Sequence, residues 1–378
     1  MRLLVISHTP HYRRGKVFAG WGPTVREIDQ LATLFTEVAH VAPLHTDPAP
    51  ESALEYAGRV RLVPVPPAGG RRFLQKLAIA RAAPRYIGTI LREARRCEVV
   101  HVRCPANIAL LAVLLLIALR RPERRWIKYA GDWGRRAGEP WSYALQRRLL
   151  TGTLHRAVVT VNGTWPGQPP HVHSFANPCL TDEELVEGKR AAARKSLGSP
   201  VRLLFVGRLD EAKGARRVLE ILALLRRQGV AARARIVGNG ASREALERRA
   251  AELSVSDSAE FLGPLSRPNL SPLYADSDIQ LLPSRSSEGW PKVLSEGMAY
   301  GVVPVASDVG SIPEFLRSLR VGQALPADDI AGFAGAVVAY AQDPAGWKEE
   351  SRRGVLGAER FGYSRYLAEV RRILEIAE

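Results

Sequence analysis

The feature that most constrains this chain is a regular alternation of short apolar runs with amphipathic stretches, which breaks once and then begins again. In the first half, short apolar runs with the pattern of strands are separated by longer segments with helical periodicity. The pattern breaks at Asn177-Pro178 and restarts at Val201. Near-continuous apolar strands between helices are typical of parallel sheets covered on both faces. We therefore predict two doubly wound, Rossmann-like α/β domains that face a cleft.

The predicted elements follow from this pattern. The first half contains strands over 2–7, 38–42, 61–65, 99–103, 126–130 and 158–161, and helices over 24–35, 73–96, 107–119 and 140–154. The second half contains strands over 201–206, 233–237, 260–262, 279–282 and 303–306, and helices over 214–227, 242–253, 291–300 and 330–341. The expected domains cover 1–177 and 178–357, and a terminal helix is expected within 358–378.

Composition narrows the class of protein. Apolar residues make up 46% and charged residues 24% of the chain, which is ordinary for a globular protein and excludes disordered and collagen-like chains. The longest apolar run, 108–119, is shorter than the roughly 18 residues that a membrane span needs. Cys97, Cys104 and Cys179 lack the spacing of a metal site, so we expect reduced thiols and a cytoplasmic location.

Charge is spread unevenly along the chain. Residues 1–180 contain 26 Lys and Arg against 11 Asp and Glu, and they carry +15 of the net +16. The helix expected within 71–96, with Pro84 as a possible break, has apolar Phe73 and Leu77 beside a basic face. A solvated face explains this pattern most simply, and contact with the inner face of an anionic membrane is the sharper hypothesis. The basic residues that share the face are Arg81, Arg85, Arg92, Arg95 and Arg96.

Glycines and charged residues follow two strands of the second half. Strand 201–206 leads into Gly207-Arg208-Leu209-Asp210-Glu211-Ala212-Lys213-Gly214, which places two cations beside the start of a helix. A helix N-terminus adds partial positive charge and free N–H groups, so this loop suits a diphosphate, although a solvated turn has the same pattern. Gly238-Asn239-Gly240 follows strand 233–237 and permits close approach of a ligand, a weak signal when it stands alone.

The most specific stretch runs from Pro283 to Ser307. Strand 279–282 ends in a loop that carries Glu288, and Pro291 suits the first turn of the helix that follows. Glu296 lies about a turn and a half later, so both carboxylates can face the ligand-binding edge of the sheet. Carboxylates in that place accept hydrogen bonds from sugar and ribose hydroxyls.

This stretch resembles the motif of two glutamates, with seven residues between them, in retaining glycosyltransferases of the GT-B fold, the group 1 or family 4 type. Glu288 and Glu296 match the two glutamates, and Gly301 to Pro304 match the end of the motif. The units 207–214 and 238–240, followed by Phe261-Leu262-Gly263, occur where that family has them. The resemblance covers almost all of 201–315 and implies a metal-independent hexosyltransferase.

The resemblance also implies a role for each residue of this half, which would bind the sugar nucleotide. Arg208 and Lys213 would hold the diphosphate and stabilise the leaving nucleotide. Glu288 would contact the donor sugar and Glu296 the ribose hydroxyls. No cofactor is expected, and the terminal helix would cross back to the first domain. Backbone approach to the donor is expected at Gly207, Gly238, Gly240, Gly289 and Trp290.

One acidic pair matches a metal-binding pattern, but its position in the sequence argues against a metal site. Asp276-Ser277-Asp278 has the Asp-x-Asp pattern that holds a metal in a different glycosyltransferase fold. It precedes a strand instead of following one, where the resembled family has an acidic residue without a metal role. We therefore expect no metal site.

The first half is expected to bind the acceptor, a saccharide or a lipid-linked saccharide. We predict a long loop after strand 2–7, in which Gly20 and Gly22 loosely match a glycine-rich loop of the family, and Thr24 as the cap of the next helix. A flexible surface loop explains the same residues. Arg103 stands where the family commonly has a histidine, and it is a candidate for binding an anionic donor or acceptor group. Asp132 is a candidate for an acceptor hydroxyl or for a turn.

Other classes of function remain to be weighed. A sugar-nucleotide epimerase lacks the context of paired glutamates, and a phosphorylase needs a pyridoxal lysine that we cannot place. A non-catalytic protein that binds a membrane or a nucleic acid through the basic half is the third alternative. The ordered donor motifs argue against it, and so does the lack of interleaved aromatic residues for base stacking. The sequence identifies neither the sugar, the nucleotide base, the acceptor nor the oligomeric state.

Overall fold

The chain divides into two compact units. The computed structural model describes residues 1–69, 73–134, 139–286 and 289–376, and the side chains of 73–77 lie outside that description. One unit comprises Met1–Ala176 together with the segment that begins at Tyr366, and the other comprises Asn177–Arg365. The change of unit after residue 176 falls at the break in the strand–helix pattern. The last helix begins in the second unit and ends in the first.

The first unit is built on a mostly parallel sheet. Its strands are β1 (Arg2–Ile6), β2 (His11–Arg14), β3 (Val17–Trp21), β4 (Glu37–His45), β5 (Ala53–Glu55), β6 (Val60–Val65), β7 (Val99–Cys104), β8 (Arg124–Tyr129), β9 (Val158–Asn162) and β10 (Val172–Phe175), and its helices are α1 (Gly22–Ala32), α2 (Phe73–Ala94), α3 (Asn107–Ala118) and α4 (Trp141–Thr151). The sheet order is β10-β9-β8-β7-β1-β4-β2-β3-β5, and β6 also pairs with β4.

The middle strands explain why the sequence is apolar without interruption there. β1 pairs in parallel with β4 on one side and with β7 on the other. Leu3, Leu4, Val5 and Ile6 are all fully buried, so side chains on both faces of the sheet lie in the core. The sheet order places the start of the chain at the centre, where the connections change direction between β1 and β7.

The predicted loop after β1 is wrong. His11–Arg14 and Val17–Trp21 form an antiparallel hairpin, with Arg14 opposite Val17 and a two-residue turn between them. Gly15 adopts a positive φ of 59°, which such a turn favours. The strand His11–Arg14 is polar and does not alternate, and for that reason the hydrophobic pattern did not predict it.

Two helices of the first unit also differ from prediction. α1 begins at Gly22, with a proline in its first turn, so Thr24 is a buried residue of the helix and not its cap. α2 is continuous from Phe73 to Ala94 and contains Pro84. No helix in the described part of the chain has the length and apolar content needed to cross a bilayer.

The second unit is a six-stranded parallel sheet. Its strands are β11 (Val201–Val206), β12 (Ala232–Val237), β13 (Ala259–Gly263), β14 (Ile279–Leu282), β15 (Val303–Ser307) and β16 (Gln323–Leu325), and the remaining helices are α5 (Asp182–Ala193), α6 (Ala215–Arg227), α7 (Arg243–Glu252), α8 (Arg267–Ala275), α9 (Lys292–Ala299), α10 (Ile312–Leu319), α11 (Ile330–Gln342), α12 (Pro344–Ala358) and α13 (Tyr363–Leu374), with a 3₁₀ turn at Glu359–Phe361. The order β13-β12-β11-β14-β15-β16 reverses direction between β11 and β14. Ligands of doubly wound sheets bind outside the strand ends at such a reversal.

Candidate active site

The loops that follow β11 and β14 are tied together at the reversal of the second sheet. The Arg285 backbone N–H donates to the Ala212 carbonyl at 2.7 Å, and the Ser284 hydroxyl donates to the same carbonyl at 3.3 Å. The motif 207–214 and the beginning of the motif 283–307 therefore lie side by side, as the parallel sheet requires. This edge is the candidate active site of the second unit.

The loops that follow β12 and β13 extend the same layer. The Gly207 N–H donates to the Val237 carbonyl at 3.0 Å, and the Gly238 N–H donates to the Gly263 carbonyl at 2.8 Å. The Leu209 N–H reaches the loop 238–240 in the same way, at 3.0 Å from the Asn239 carbonyl. Backbone hydrogen bonds thus join four loops that are far apart in sequence.

Glycines make this close stacking of loops possible. Gly238 has a φ of 138°, and a Cβ on it would lie 1.8 Å from the Gly207 carbonyl oxygen. Gly214 has a φ of 85°, and its Cβ would lie 2.0 Å from the Pro283 oxygen. Gly240 passes Leu209 almost as closely, at 2.4 Å. Any side chain at these positions would push the loops apart, so the glycines set the shape of the edge.

Arg208 and Lys213 are arranged by one aspartate. The Asp210 carboxylate accepts the backbone N–H of Lys213 at 2.8 Å and lies 3.0 Å from the Arg208 guanidinium. The Arg208 side chain is 72% exposed, and Lys213 is half-buried. Both cations therefore stand on one ordered loop, with the Arg208 side chain open to solvent.

Arg217 is a buried residue that holds this loop in place, and its role was not predicted from the sequence. Its side chain is 5% exposed, and it donates to the Pro283 and Glu211 carbonyls, each at 3.2 Å, and to the Asp328 carboxylate at 2.9 Å. Arg285 also binds Asp328, and hydrogen bonds from Arg285 and then Arg217 lower the pKa of that carboxyl. The available signal was a cation within the otherwise apolar face of α6.

The residues around the first glutamate of the motif have mixed roles. Glu288 itself lies outside the described residues. The Gly289 carbonyl accepts the Ser311 N–H at 3.1 Å. The Trp290 indole is buried, stacks on Phe361 with ring centroids 5.2 Å apart, and donates to the Ser295 hydroxyl at 2.6 Å. The Trp290 side chain thus belongs to the core, and only its backbone remains as a candidate for contact with a ligand.

Glu296 lies on α9 with partners on both carboxylate oxygens. Arg267 forms an ion pair with one oxygen, and the Tyr274 hydroxyl donates to the other at 2.9 Å. Burial alone would lower the pKa of Arg267, but Glu296 and Glu184 raise it above its ordinary value. A carboxylate has about four lone-pair sites, so Glu296 can still accept hydroxyl donors.

Asp276 and Asp278 lie at the opposite edge of the sheet from the candidate site. Asp278 is fully buried and accepts two hydrogen bonds from the Arg202 side chain and one from the Gly198 N–H. Asp276 pairs with Arg202 and Arg235. Within the described ranges, no group of three or more His, Cys, Asp or Glu side chains has the arrangement of a metal site.

The glycine-rich loop expected in the first unit is replaced by regular structure. Gly20 lies within β3, where a Cβ would lie 2.6 Å from the imidazole Nε2 of His11. Gly22 begins α1, with its Cβ position 3.0 Å from the Ser52 carbonyl. Packing inside the protein accounts for both glycines, and their expected role in a ligand-binding loop is not supported.

Arg103 is held inside the first unit. Its guanidinium binds both oxygens of Glu27, at 2.8 and 3.1 Å, and the Lys128 ammonium lies 2.7 Å from the same carboxylate. The Tyr366 hydroxyl of the last helix adds a fourth contact at 3.1 Å. Glu27 and Lys128 are at most 1% exposed. The geometry shows an internal ion cluster at Arg103, in place of the expected external anion.

A ring of hydrogen bonds fixes the chain where β1 ends, and the sequence analysis did not find it. Ser7 Oγ lies 2.7 Å from His40 Nε2, His40 Nδ1 lies 2.6 Å from the Tyr56 hydroxyl, and this hydroxyl lies 2.9 Å from His11 Nε2. The ring closes through Thr9, whose carbonyl contacts His11 Nδ1 and whose N–H donates to Ser7. Because the Thr9 carbonyl only accepts, every proton in the ring has one place if both imidazoles are neutral. Burial lowers the pKa of His11 to about 4 and lowers that of His40 well below its ordinary value.

Asp132 is a turn residue. It follows β8, is 9% exposed, and accepts the Gly134 N–H at 2.9 Å on its side-chain oxygen. This hydrogen bond two residues along the chain is the pattern of an Asx turn. The turn alternative weighed for Asp132 therefore matches the geometry.

Comparison with known sequences finds similarity mainly in the second unit. Residues 189–354 match the family model of the glycosyl transferases group 1. A D-inositol 3-phosphate glycosyltransferase of Kribbella flavida is 30% identical over 57% of this chain and 53% of its own length. A glycogen synthase of Mycobacterium tuberculosis is 32% identical over 43% of this chain and 39% of its own length. The chain thus spans about half, or less, of the length of these curated relatives.

Comparison with solved structures covers the whole chain. Sucrose-phosphate synthase from Thermosynechococcus elongatus has a TM-score of 0.73 at 17% identity and covers 99% of this chain and 98% of its own. The HepE protein of Anabaena, in complex with UDP, has a TM-score of 0.66 at 15% identity and covers 99% of this chain and all of its own. At these identities the likeness establishes the fold, and the predicted GT-B fold is confirmed.

Proposed function

Because residues 189–354 match the family model of the glycosyl transferases group 1 and the chain has a GT-B fold, we propose that this protein is a retaining glycosyltransferase. It moves a hexosyl group from a nucleoside-diphosphate sugar to an acceptor hydroxyl. The observation that carries the proposal is the reversal of the second sheet, where the loop with Arg208 and Lys213 is bonded to the loop that leads to Glu288. A relative in fold, HepE, has been crystallised with UDP and with UDP-glucose, which supports a donor of this class.

The proposed chemistry is mainly electrostatic. As the glycosidic bond breaks, negative charge grows on the leaving nucleoside diphosphate, and fixed cations stabilise it without reorganisation. Asp210 and Arg217 hold the loop that carries these cations before the donor arrives. Arg208 and Lys213 are therefore the residues that we assign to the diphosphate.

The sugar and the ribose are assigned to the two glutamates of the motif. Glu296 is placed by Arg267 and Tyr274 and keeps lone pairs for the ribose hydroxyls. Glu288 is assigned to the donor sugar from its position in the motif.

Retention is tested directly by NMR of the first-formed product, in which the anomeric configuration of the donor should be preserved. An inverted product would refute the retaining assignment.

We propose further that no divalent cation is needed, because Arg208 and Lys213 supply the charge that a metal would supply to the diphosphate. Asp276 and Asp278 are already paired with arginines at the other edge of the sheet. Turnover should survive EDTA. Loss of turnover with EDTA, restored by Mg²⁺ or Mn²⁺, would contradict this part of the proposal.

The acceptor is assigned to the first unit, and the place of action to the cytoplasmic face of a membrane. The exposed arginines Arg81, Arg85 and Arg92 on α2 provide a surface that attracts anionic lipid. A saccharide carried on a lipid, for a surface polysaccharide or a glycolipid, would be presented there. Phe73 and Leu77, which the sequence places beside these arginines, have side chains outside the described residues.

The donor class is tested with a panel of UDP-, GDP- and ADP-sugars. A bound donor at about 100 times its Kd adds about 2.7 kcal/mol to the free energy of unfolding, which a thermal-shift assay detects. Slow release of free nucleotide from the same donor, measured without acceptor, then shows that the site breaks the glycosidic bond. Binding without hydrolysis or transfer would favour a non-catalytic protein, and interconversion of the sugar on the intact nucleotide would favour an epimerase.

A further inference from the structure

A basic groove lies at the edge of the first sheet where the strands begin, opposite the edge that binds ligands in folds of this kind. It encloses about 840 Å³ and is lined by residues from three places: the start of β1, the end of α2, and the connection from α3 to β8. We call it the arginine groove. Glu98 and Glu123 are its two carboxylates. Its six arginines are Arg2, Arg95, Arg96, Arg120, Arg121 and Arg124.

Four of these six arginines form no ion pair within the part of the chain that the structure describes. Arg2 pairs with Glu98 at 3.3 Å, and Arg96 lies 3.9 Å from Glu93, a carboxylate that it shares with two other arginines. The four are Arg95, Arg120, Arg121 and Arg124, and all of them are exposed. Arg124 donates to the Glu375 backbone carbonyl at 3.4 Å and so keeps its charge. The groove is therefore a concentrated part of the positive charge that the first 180 residues carry.

The segment that presents Arg120 and Arg121 is rigidly held. The Arg125 side chain is 3% exposed and donates to the carbonyls of Leu119 and Pro122, each at 2.6 Å, which flank the two arginines. The same guanidinium reaches the His155 carbonyl at 3.1 Å. A buried guanidinium with backbone partners on both sides fixes the segment before any ligand binds, which lowers the entropy cost of binding.

We propose that the arginine groove binds a phosphate-bearing anion, and that a lipid headgroup is its source. Planar guanidinium groups bind phosphate through paired hydrogen bonds, and several of them in one groove favour clustered phosphate oxygens over a lone carboxylate. Leu114, on the helix α3 that leads into the groove, is 44% exposed and offers an apolar side chain six residues before Arg120. α2, with its exposed arginines, packs against α3.

The bound headgroup is an anchor and not the acceptor. The six-residue strand β7 separates the two edges of the sheet by roughly 20 Å, so a molecule in the groove cannot reach the edge where transfer is expected. The inference deepens the membrane part of the proposed function. It adds recognition of phosphate to the general electrostatic attraction of α2.

The test compares two kinds of vesicle with equal surface charge, matched by electrophoretic mobility. One contains phosphatidic acid and the other contains oleate, both in phosphatidylcholine. Wild-type protein should sediment with phosphatidic acid vesicles at least tenfold more strongly than with oleate vesicles. Arg120→Glu/Arg121→Glu should abolish that preference, whereas the control Arg233→Glu/Arg248→Glu, with the same change of charge at exposed arginines of the second unit, should keep it. Equal binding to both vesicles by wild-type protein would overturn the proposal.

A second experiment, without vesicles, identifies the source of the phosphate. Inorganic pyrophosphate should bind wild-type protein in calorimetry at a site that Arg120→Glu/Arg121→Glu removes and that saturating UDP leaves free. Pyrophosphate binding at that site without vesicle binding would show that the groove serves a free phosphate compound. Absence of both overturns the site itself. Nucleotide release from the donor should be unchanged in Arg120→Glu/Arg121→Glu, so a failure here is separate from a failure of the proposed transferase.

Discussion

The two sheets use their charged residues in opposite ways at the edges where ligands are expected. In the second unit, glycine loops form the edge and Arg208 stands open to solvent above it. In the first unit, Arg103 and Lys128 stand at the ends of neighbouring strands but are buried against Glu27. At this edge, one sheet thus has a cation exposed to solvent, whereas the cations of the other sheet form internal ion pairs.

The difference shows where a cation acts on a ligand and where it acts on the protein. The exposed cation Arg208 pairs with one partly exposed carboxylate, Asp210 at 3.0 Å, and the rest of its guanidinium remains in solvent, where a substrate can reach it. A buried cation must be paired, because an unpaired charge inside a protein costs several kcal/mol. At the corresponding positions, the first sheet therefore holds cations in internal ion pairs, and the second holds the cations that we propose for the chemistry.

The largest expected effect is on the buried cluster of the first unit. Glu27→Ala should lower the free energy of unfolding by about 3–5 kcal/mol, because it removes the buried carboxylate that both Arg103 and Lys128 contact. Glu98→Ala breaks the exposed pair with Arg2 and should cost below about 1 kcal/mol. Urea unfolding of both variants measures the contrast. Similar decreases in the free energy of unfolding of the two variants would show that burial does not determine how much these ion pairs contribute to stability.

The next effect is on catalysis in the second unit. Lys213→Ala should lower turnover about 10²–10³-fold, since one preorganised charge is removed from the leaving diphosphate. Arg216→Ala is the matched control: it removes an exposed cation three residues away that pairs with Glu220, and it should leave turnover within about twofold. Turnover is measured as release of nucleotide from the donor. Wild-type turnover in both Lys213→Ala and Arg208→Ala would refute the assignment of the diphosphate.

The sequence predicted the second unit better than the first for a physical reason. Glycines such as Gly238 are required because a Cβ there would collide with a neighbouring backbone. A glycine motif in the sequence therefore directly indicates where two loops approach each other. The partners of Glu27 come from β7, β8 and the last helix, and no local pattern links Glu27 to Arg103, 76 positions away. The role of Arg217 depends on Asp328 and Pro283 in the same way.

Some elements were missed although a local signal was present. α5 begins with a capping box in which Thr181 and Glu184 bind each other's backbone, a pattern that is visible in the sequence. α8 was harder to predict, because Pro268 and Pro272 conceal its periodicity. The polar hairpin strand β2 has no apolar alternation, so only its pairing with β3 and β4 defines it.

A smaller effect concerns pH and the ring at the end of β1. The folded-state pKa of His11 is lowered to about 4, below its ordinary value of 6.5, so the unfolded chain takes up a proton that the folded chain refuses. The stability from this group is complete above pH 6.5 and decreases as the pH falls toward 4, by about 1.4 kcal/mol per unit. His11→Gln should flatten the pH dependence of urea unfolding over this window, whereas His173→Gln should not. An unchanged slope in His11→Gln would mean that the ring does not hold His11 neutral.

The smallest effect concerns the exposed arginines of the first unit. The sequence of the second unit has no comparable excess of basic over acidic residues. Each Lys or Arg near an anionic membrane surface contributes about 1 kcal/mol, and salt screens this attraction. Wild-type protein should therefore sediment with vesicles of anionic lipid, more strongly at low than at high ionic strength. Arg81→Glu/Arg85→Glu on α2 should weaken binding, and Arg233→Glu/Arg248→Glu in the second unit should not. Absence of binding to anionic vesicles even at low salt would remove the membrane from the proposed function and leave the transferase standing, because the donor site of the second unit uses none of these arginines.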